Sequence, residues 1–247
     1  MQEWTPLQWT LMAIGAFVVG LSKCGLPGAG ILAIPLFAGV LPARASTGML
    51  LPILLVGDVI GVAYFRRHAD WKHLRRVLPW AVVGVLIGWR LMNRISDSLL
   101  SPLIGAIVLV MLLLNVWLRR HPNLKDVSLP DRPWYPVFIG LTAGITTMLA
   151  NAAGPIMIIY LLASKLPPTV FIGTSAWYFL LLNAFKIPFS ANLGLITSRT
   201  ATVNLMLIPF VAAGAALGIL FARRVPKQVF ETLMQLLAAA GAIKMMF

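Results

Sequence analysis

The chain has 247 residues, of which 60% are hydrophobic and 11% are charged, and its formal net charge is +13. Soluble domains carry about 25% charged residues, so this composition excludes an ordinary soluble protein and indicates an all-α membrane protein. The Lys and Arg residues are grouped in short loops, as the positive-inside rule predicts, so the charge does not indicate a nucleic-acid partner.

The first predicted elements are two short apolar segments, residues 6–21 and 31–41. The stretch GLSKCGLPGAG between them contains four glycines, a proline and Lys23. At 1.5 Å per residue the segments are about 24 Å and 16 Å long, shorter than a hydrocarbon core of about 30 Å. They form either the two arms of a hairpin or one broken span.

Longer apolar segments follow, and the same order then occurs a second time. Predicted full spans, each close to the roughly 20 residues that a bilayer requires, lie at 46–65, 77–95, 99–118, 169–189, 200–222 and 226–246. A second short pair, 134–149 and 154–164, flanks the break ANAAGP. We therefore divide the chain into a first transmembrane repeat (1–118), a cytoplasmic linker (119–133) and a second transmembrane repeat (134–247).

Internal similarity supports a duplication. PWAVVGVLIG at 79–88 and PFVAAGAALG at 209–218 share a proline, an aromatic residue and two glycines, 130 residues apart. The halves also match at single positions 125 residues apart: Leu41 and Leu166, Gly48 and Gly173, Asp58 and Asn183. The spacing of four residues within Gly84, Gly88, Gly214 and Gly218 predicts close helix packing.

Loop charge favours hairpins. The loops at 66–76, 119–133, 164–168 and 222–228 carry five, four, one and three Lys or Arg residues, and all of them face the cytoplasm if each short pair is a hairpin. A broken span would place Arg223, Arg224 and Lys227 outside. The predicted fold is thus two inverted repeats, each a short-helix hairpin followed by three transmembrane helices. Many secondary transporters have this architecture, with the site near the midplane between the repeats.

The two hairpin tips are predicted to form an anion site. Open backbone at membrane depth is tolerated only where protein or a water-filled cavity surrounds it. The second arms begin near Gly28 and Gly154, where helix N-termini favour negative charge, and Lys23 adds a cation. The predicted substrate-binding residues are Ser22, Lys23, Gly25, Gly28, Thr147, Asn151, Gly154, Trp177, Asn183 and Lys186.

Asp58 is the candidate for charge balance or proton coupling. It lies about 18 Å below the outer end of its predicted helix, and both a salt bridge to Lys23 and a proton-carrying role are open. Lys186 lies near the outer end of its span, where it either snorkels to the interface or, like Asp58, balances charge or carries the coupling proton. Trp177 falls mid-span and either lines the substrate path or packs in the core.

Other functional classes find little support in the residues. The three histidines, His68, His73 and His121, lie in basic loops without the spacing of a metal site or a catalytic base. We therefore expect no metal, no cofactor and no enzymatic activity. The same donors would also serve an anion channel, and the sequence leaves a homo-oligomer open.

The chain resembles the TauE/SafE family of sulfite exporters throughout its length. GLSKCGLPGAGILAIPL carries the resemblance in the first half, and TMLANAAGPIMIIYLL with GTSAWYFLLLNAFKIPFS carries it in the second. NAAGP with the downstream Asn183, Lys186 and Pro188 is a fairly specific pairing. The resemblance implies export, or in some members uptake, of small sulfur-containing or carboxylate anions such as sulfite and organosulfonates across the bacterial cytoplasmic membrane.

Overall fold

The computed structural model describes residues 4–26, 28–65, 68–120, 130, 132–221 and 227–246, with the backbone alone at 118, 119, 168, 221 and 227–234. Within these ranges the chain forms ten α-helices, one 3-10 turn and no β-strand. The elements are α1 (Pro6–Cys24), the 3-10 turn (Ala29–Leu32), α2 (Ala33–Ala38), α3 (Ala43–Phe65), α4 (Trp71–Arg94), α5 (Asp97–Arg120), α6 (Trp134–Ala150), α7 (Gly154–Ala163), α8 (Pro168–Asn192), α9 (Ser198–Phe221) and α10 (Lys227–Met246). The predicted all-α fold is confirmed.

Five of the described helices are long and apolar enough to cross a membrane: all of α1 and α3 and most of α5, α8 and α9. The last four coincide with predicted spans. The fifth, α1, has 19 residues and extends to Cys24, so it is about 28 Å long and exceeds the predicted arm at 6–21. The apolar stretch of α4 ends with Arg90 and Arg94, and α4 is not among the five. Arg223, Arg224 and most of the linker lie outside the described residues, so the loop-charge argument stays a prediction.

The first hairpin consists of α1, the 3-10 turn and α2. Its start is set by Thr5 and Gln8, which form a capping box that satisfies the free N–H groups of the first turn. Gly28 follows the end of α1 with φ +98°, a conformation that glycine adopts without strain. The chain then folds back onto α1. The short distance between the two segments shows this, since a Cβ added at Gly30 would lie 2.9 Å from Ser22 Oγ. Helix α2 therefore packs back on α1, as a hairpin requires, whereas the return of the pair to its starting side of a membrane stays a prediction.

The second hairpin consists of α6 and α7. Helix α6 ends where Asn151 adopts a left-handed conformation with φ 54°, which asparagine tolerates better than most residues. The N–H groups of Asn151 and Ala152 then donate to the carbonyls of Thr147 and Thr146. Helix α7 begins at Gly154 and returns along α6. The second predicted tip thus falls where the sequence placed it.

Small residues bring helices of different halves into backbone contact. Helix α9 packs on α1, and α4 packs on α6. A Cβ at Gly214 would clash with the carbonyl oxygen of Phe17, and one at Gly84 would clash with that of Leu141. The predicted role of these glycines in close packing is confirmed.

The helix pairings are reciprocal between the halves. Besides α1 with α9 and α6 with α4, the structure pairs α3 with α8 and α5 with α10. Exchanging the first half for the second converts the pairing of α1 with α9 into that of α6 with α4, and it leaves the other two pairings unchanged. A two-fold relation between two copies requires this pattern. The opposite orientation of the halves in a membrane stays a prediction.

We predict that Gly214→Ala lowers the free energy of unfolding by about 1–3 kcal/mol or more, because the added methyl group forces α1 and α9 apart. Gly61→Ala is the matched control, since it also lies inside a helix but its Cβ would find its nearest neighbour at 3.5 Å. The control should be neutral or stabilising by up to about 1 kcal/mol. Thermal unfolding of the purified protein in detergent measures both, and equal stability of the two variants would contradict the packing argument.

Candidate functional site

A cavity of about 100 Å³ lies between the two hairpin tips, and α3 and α8 form its remaining walls. One water molecule needs roughly 10–15 Å³, so the cavity holds a small solute with room to spare. Its polar lining comprises Ser22, Lys23, Asp58, Thr147, Asn151, Ser175 and Asn183. Its apolar lining includes Ile31, Ile34, Leu54, Pro155, Ile158, Phe171, Ile172 and Phe179.

An ion pair between Lys23 and Asp58 is the closest charge contact in the cavity. Lys23 Nζ lies 2.6 Å from Asp58 Oδ1 and 4.1 Å from the centroid of the Phe179 ring. The Asp58 side chain is fully buried, whereas 15% of the Lys23 side chain is exposed. Gly57 gives the lysine stem room, because a Cβ there would lie 3.1 Å from Lys23 Cγ. The salt bridge that the sequence left open is therefore present, and it ties α1 to α3.

Asn183 contacts its own counterpart in the other half. Its amide Nδ2 donates a hydrogen bond of 2.6 Å to Asp58 Oδ2. These two residues occupy matching positions in α8 and α3, 125 residues apart. A two-fold axis brings equivalent residues together only where they lie next to the axis. The carboxylate of Asp58 thus receives Lys23 on one oxygen and Asn183 on the other.

Lys186 lies inside the protein, and the expectation that it snorkels is wrong, since 1% of its surface is exposed. Its Nζ donates to Asn151 Oδ1 at 2.6 Å, to Thr147 Oγ1 at 3.0 Å and to Asn183 Oδ1 at 3.4 Å. Helix α8 runs past the second tip without a break, and Lys186 follows Asn183 by one turn on the same face. The ammonium therefore finds three acceptors inside the protein and has no need to reach the interface.

The tip of the second hairpin is held from two sides through Asn151. Its Oδ1 accepts from Lys186, and its Nδ2 donates to the backbone carbonyl of Thr47 in α3 at 3.0 Å. The left-handed backbone at this residue directs the side chain toward Lys23, Asp58, Thr147, Asn183 and Lys186, which together with Asn151 we call the polar cluster. The carbonyl of Thr47 gave no signal in the sequence, because any residue type supplies one.

Most of the predicted site residues come together in the cavity: Ser22, Lys23, Gly28, Thr147, Asn151, Gly154, Asn183 and the charge-balance candidate Asp58. Three predicted residues do not line it. Gly25 lies against the backbone of Gly218 in α9, and Lys186 lies behind Thr147, Asn151 and Asn183. The Trp177 ring packs against that of Trp71, with centroids 5.3 Å apart.

The cavity wall from α3 and α8 contains residues that sequence reasoning missed. Phe179 and Ser175 lie four and eight residues before Asn183 in α8, and Leu54 lies four residues before Asp58 in α3. Residues four apart share one face of a helix. Counting in steps of four from the two polar residues would therefore have found this wall.

The arrangement suits a small solute with a negative charge. Among the described residues the polar cluster holds the cations Lys23 and Lys186 and one acid, Asp58, so fully ionised side chains leave one positive charge in excess. The hydroxyl groups of Ser22 and Thr147 supply neutral donors. An excess charge at this depth is costly unless a counter-ion compensates it. The described residues contain no group of three or more His, Cys, Asp or Glu side chains that could hold a metal ion.

Comparison with known proteins gives one family and one curated relative. The model of the sulfite exporter TauE/SafE family matches residues 12–245. The probable membrane transporter protein MamO of Magnetospirillum gryphiswaldense is 22% identical over 302 aligned positions, which cover 94% of this chain and 46% of MamO. The chain thus spans about half the length of this relative. No solved structure matches the chain significantly.

We predict that Lys23 and Asp58 are strongly coupled in a double-mutant cycle of Lys23→Met and Asp58→Asn. Each single change strands a charge, so the coupling energy should reach about 1–3 kcal/mol in unfolding experiments in detergent. The matched control is the pair of Arg44 and Asp97, which are 2.7 Å apart with the Asp97 side chain 60% exposed. The control cycle should give less than about 1 kcal/mol, and equal coupling in both cycles would contradict a role for burial.

Proposed function

Because this chain belongs to the sulfite exporter TauE/SafE family of membrane transporters, we propose that it is a secondary transporter that carries a small anion through the cavity between the hairpin tips. The integral multi-pass membrane architecture and the family support transport of a small substrate. The observation that carries the choice of an anion is the position of Lys23. Lys23 lines the cavity, and among the described residues Asp58 supplies its one close carboxylate.

In the proposed cycle the anion competes with Asp58 for Lys23. Without substrate, the carboxylate neutralises the ammonium at 2.6 Å. An incoming anion takes over that contact and adds hydrogen bonds from Ser22, Thr147 and Asn151. The ion pair then no longer ties α1 to α3, so the first hairpin is free to move relative to the helix it was held against. Alternating access follows if this motion opens the opposite side of the cavity. Proton coupling through Asp58 or Lys186 belongs to the same proposal.

We propose small sulfur-containing or organic anions, such as sulfite or organosulfonates, as substrates. Lys23 and the hydroxyl donors suit sulfonate oxygens, and the apolar lining from Phe179, Ile34 and Ile158 suits a short carbon chain. A small carboxylate unrelated to sulfur chemistry fits the same donors and is the alternative substrate. We further propose export across a bacterial cytoplasmic membrane, in line with the family description.

An anion channel is the second candidate, since a pore lined by the same donors would also pass anions. The cation that faces the cavity favours neither candidate. The ion pair between Lys23 and Asp58 favours the carrier, because a conducting pore needs weak binding that releases the ion quickly. The kinetics of flux distinguish the two.

We predict that Lys23→Ala strongly weakens binding of sulfite, sulfoacetate and isethionate while folded protein still reaches the membrane. The reason is the loss of the cation that faces the cavity, and we expect affinity to fall by about tenfold to a hundredfold or more. Binding to purified protein in detergent is measured by calorimetry. Lys72→Ala is the matched control, since this lysine is exposed in the first turn of α4. Unchanged affinity in Lys23→Ala would remove Lys23 from the site.

We predict that sulfoacetate flux into proteoliposomes saturates with concentration and responds to an imposed proton gradient. Asp58→Asn should reduce that flux, because Lys23 then lacks the counter-charge that releases the substrate. Flux is followed with labelled sulfoacetate. Flux that rises linearly with concentration and is unaffected by Asp58→Asn would support a channel. The absence of flux for all three anions would contradict the proposed substrates.

A further inference from the structure

The second buried lysine has an environment that differs from that of Lys23. Lys186 is almost fully buried, and its three hydrogen-bond acceptors are neutral oxygens from Thr147, Asn151 and Asn183. The carboxylate of Asp58 reaches it only through the amide of Asn183, and that carboxylate already pairs with Lys23. Lys186 therefore has no direct counter-ion among the described residues.

Charge balance links Lys186 to the anion. The charged groups that face this cluster are Asp58 from α3 and Lys23 from α1, while α6 and α7 contribute only uncharged side chains. With the cavity free of anion, a neutral Lys186 amine gives a cluster without net charge. With a monovalent anion in the cavity, an ammonium at Lys186 gives a neutral cluster again. Low-dielectric surroundings favour both of these states over a net charge.

The hydrogen bonds around Nζ accommodate both forms. An ammonium donates to all three neighbouring oxygens. A neutral amine donates twice, to Asn151 Oδ1 and Asn183 Oδ1, and its lone pair accepts from the hydroxyl of Thr147. Thr147 is also one of the residues that line the cavity. A proton from the solution can therefore reach Nζ by way of cavity water and Thr147: the hydroxyl gives its proton to the lone pair and takes one from the neighbouring water, and that water regains a proton from the solution outside.

We propose that Lys186 Nζ holds the one proton that travels with each anion, and this inference rests on the transport function proposed above. The anion occupies the cavity and the proton sits behind its wall, so the two bind together without touching. Linkage makes the effect mutual: the anion raises the affinity of Lys186 for a proton, and the proton raises the affinity of the cavity for the anion. Asp58 then serves as the counter-charge of Lys23 and not as the proton carrier.

The test measures protons taken up per anion bound, with purified full-length protein in weakly buffered detergent at mildly alkaline pH. Isethionate is the probe, because its sulfonate does not titrate near neutral pH. The wild type should take up about one proton for each isethionate bound, as linkage requires. Lys186→Met and Lys186→Arg should take up none, because the first cannot be charged and the second cannot be neutral. Asp58→Asn should also take up none, because the bound anion then balances Lys23 without a proton on Lys186. Lys165→Met, at an exposed lysine, is the control and should take up about one.

Each possible result supports or overturns the assignment of the proton to Lys186. Uptake that persists in both Lys186 variants would overturn the proposal and move the proton to Asp58 or elsewhere. Uptake of about one proton in Asp58→Asn would contradict the charge balance on which the proposal rests. Binding without proton uptake in the wild type would overturn the proton proposal and leave the anion proposal standing. Loss of all binding in both Lys186 variants would place Lys186 in the binding site itself and overturn its role as proton carrier. Failure of the wild type to bind isethionate, sulfoacetate or sulfite would overturn the transport function and this proposal with it.

Discussion

The structure depends on how charges are satisfied far from water. Each of Lys23, Asp58 and Lys186 would cost several kcal/mol alone in a low-dielectric interior. The chain compensates them in one continuous set of contacts, from Lys23 to Asp58, then through Asn183 to Lys186 and on to Asn151. This polar cluster contacts both hairpins and both helices that lie between them. The breaks in the membrane helices therefore have partners, and the cavity between them has charged and neutral donors on one side.

In each half a lysine joins the hairpin to the third helix, but the lysine lies on the hairpin in one half and on the third helix in the other. In the first half the lysine lies on the hairpin, at Lys23, and its acceptor lies on α3, at Asp58. In the second half the lysine lies on α8, at Lys186, and its acceptors lie on or next to α6. Each hairpin is thus held to the third helix of its own half by an amino group. Asp58 and Asn183 occupy matching positions, and their hydrogen bond connects the contacts of Lys23 with those of Lys186. The two halves thus hold their hairpins by contacts of different chemistry.

The sequence predicted the features that depend on local chemistry. Glycine, asparagine and proline marked both hairpin tips, and the few charges in an apolar chain restricted the partners of Lys23 to Asp58. The sequence failed where the answer depends on how one helix lies against another. Helix α8 is apolar almost all round, so nothing in it tells which face Trp177 or Lys186 presents. Its depth by residue count placed Lys186 near the interface, whereas the second tip covers it. The polar triplet Ser22–Cys24 was assigned to the break, but with Lys23 paired to Asp58 the helix continues through it.

The contacts of the polar cluster are not equally open to a solute. The bonds of Lys186 lie behind the cavity wall, and 1% of its surface is exposed, whereas 15% of the Lys23 side chain is exposed. An anion in the cavity therefore meets the Lys23 and Asp58 pair first. Breaking that pair frees α1 from α3, while Asn151 still holds the second tip to Thr47 and Lys186. A transport cycle built on these contacts would begin with movement of the first hairpin against a second hairpin that stays fixed. The exchange of donor and acceptor between the halves thus gives two similar hairpins different mechanical roles.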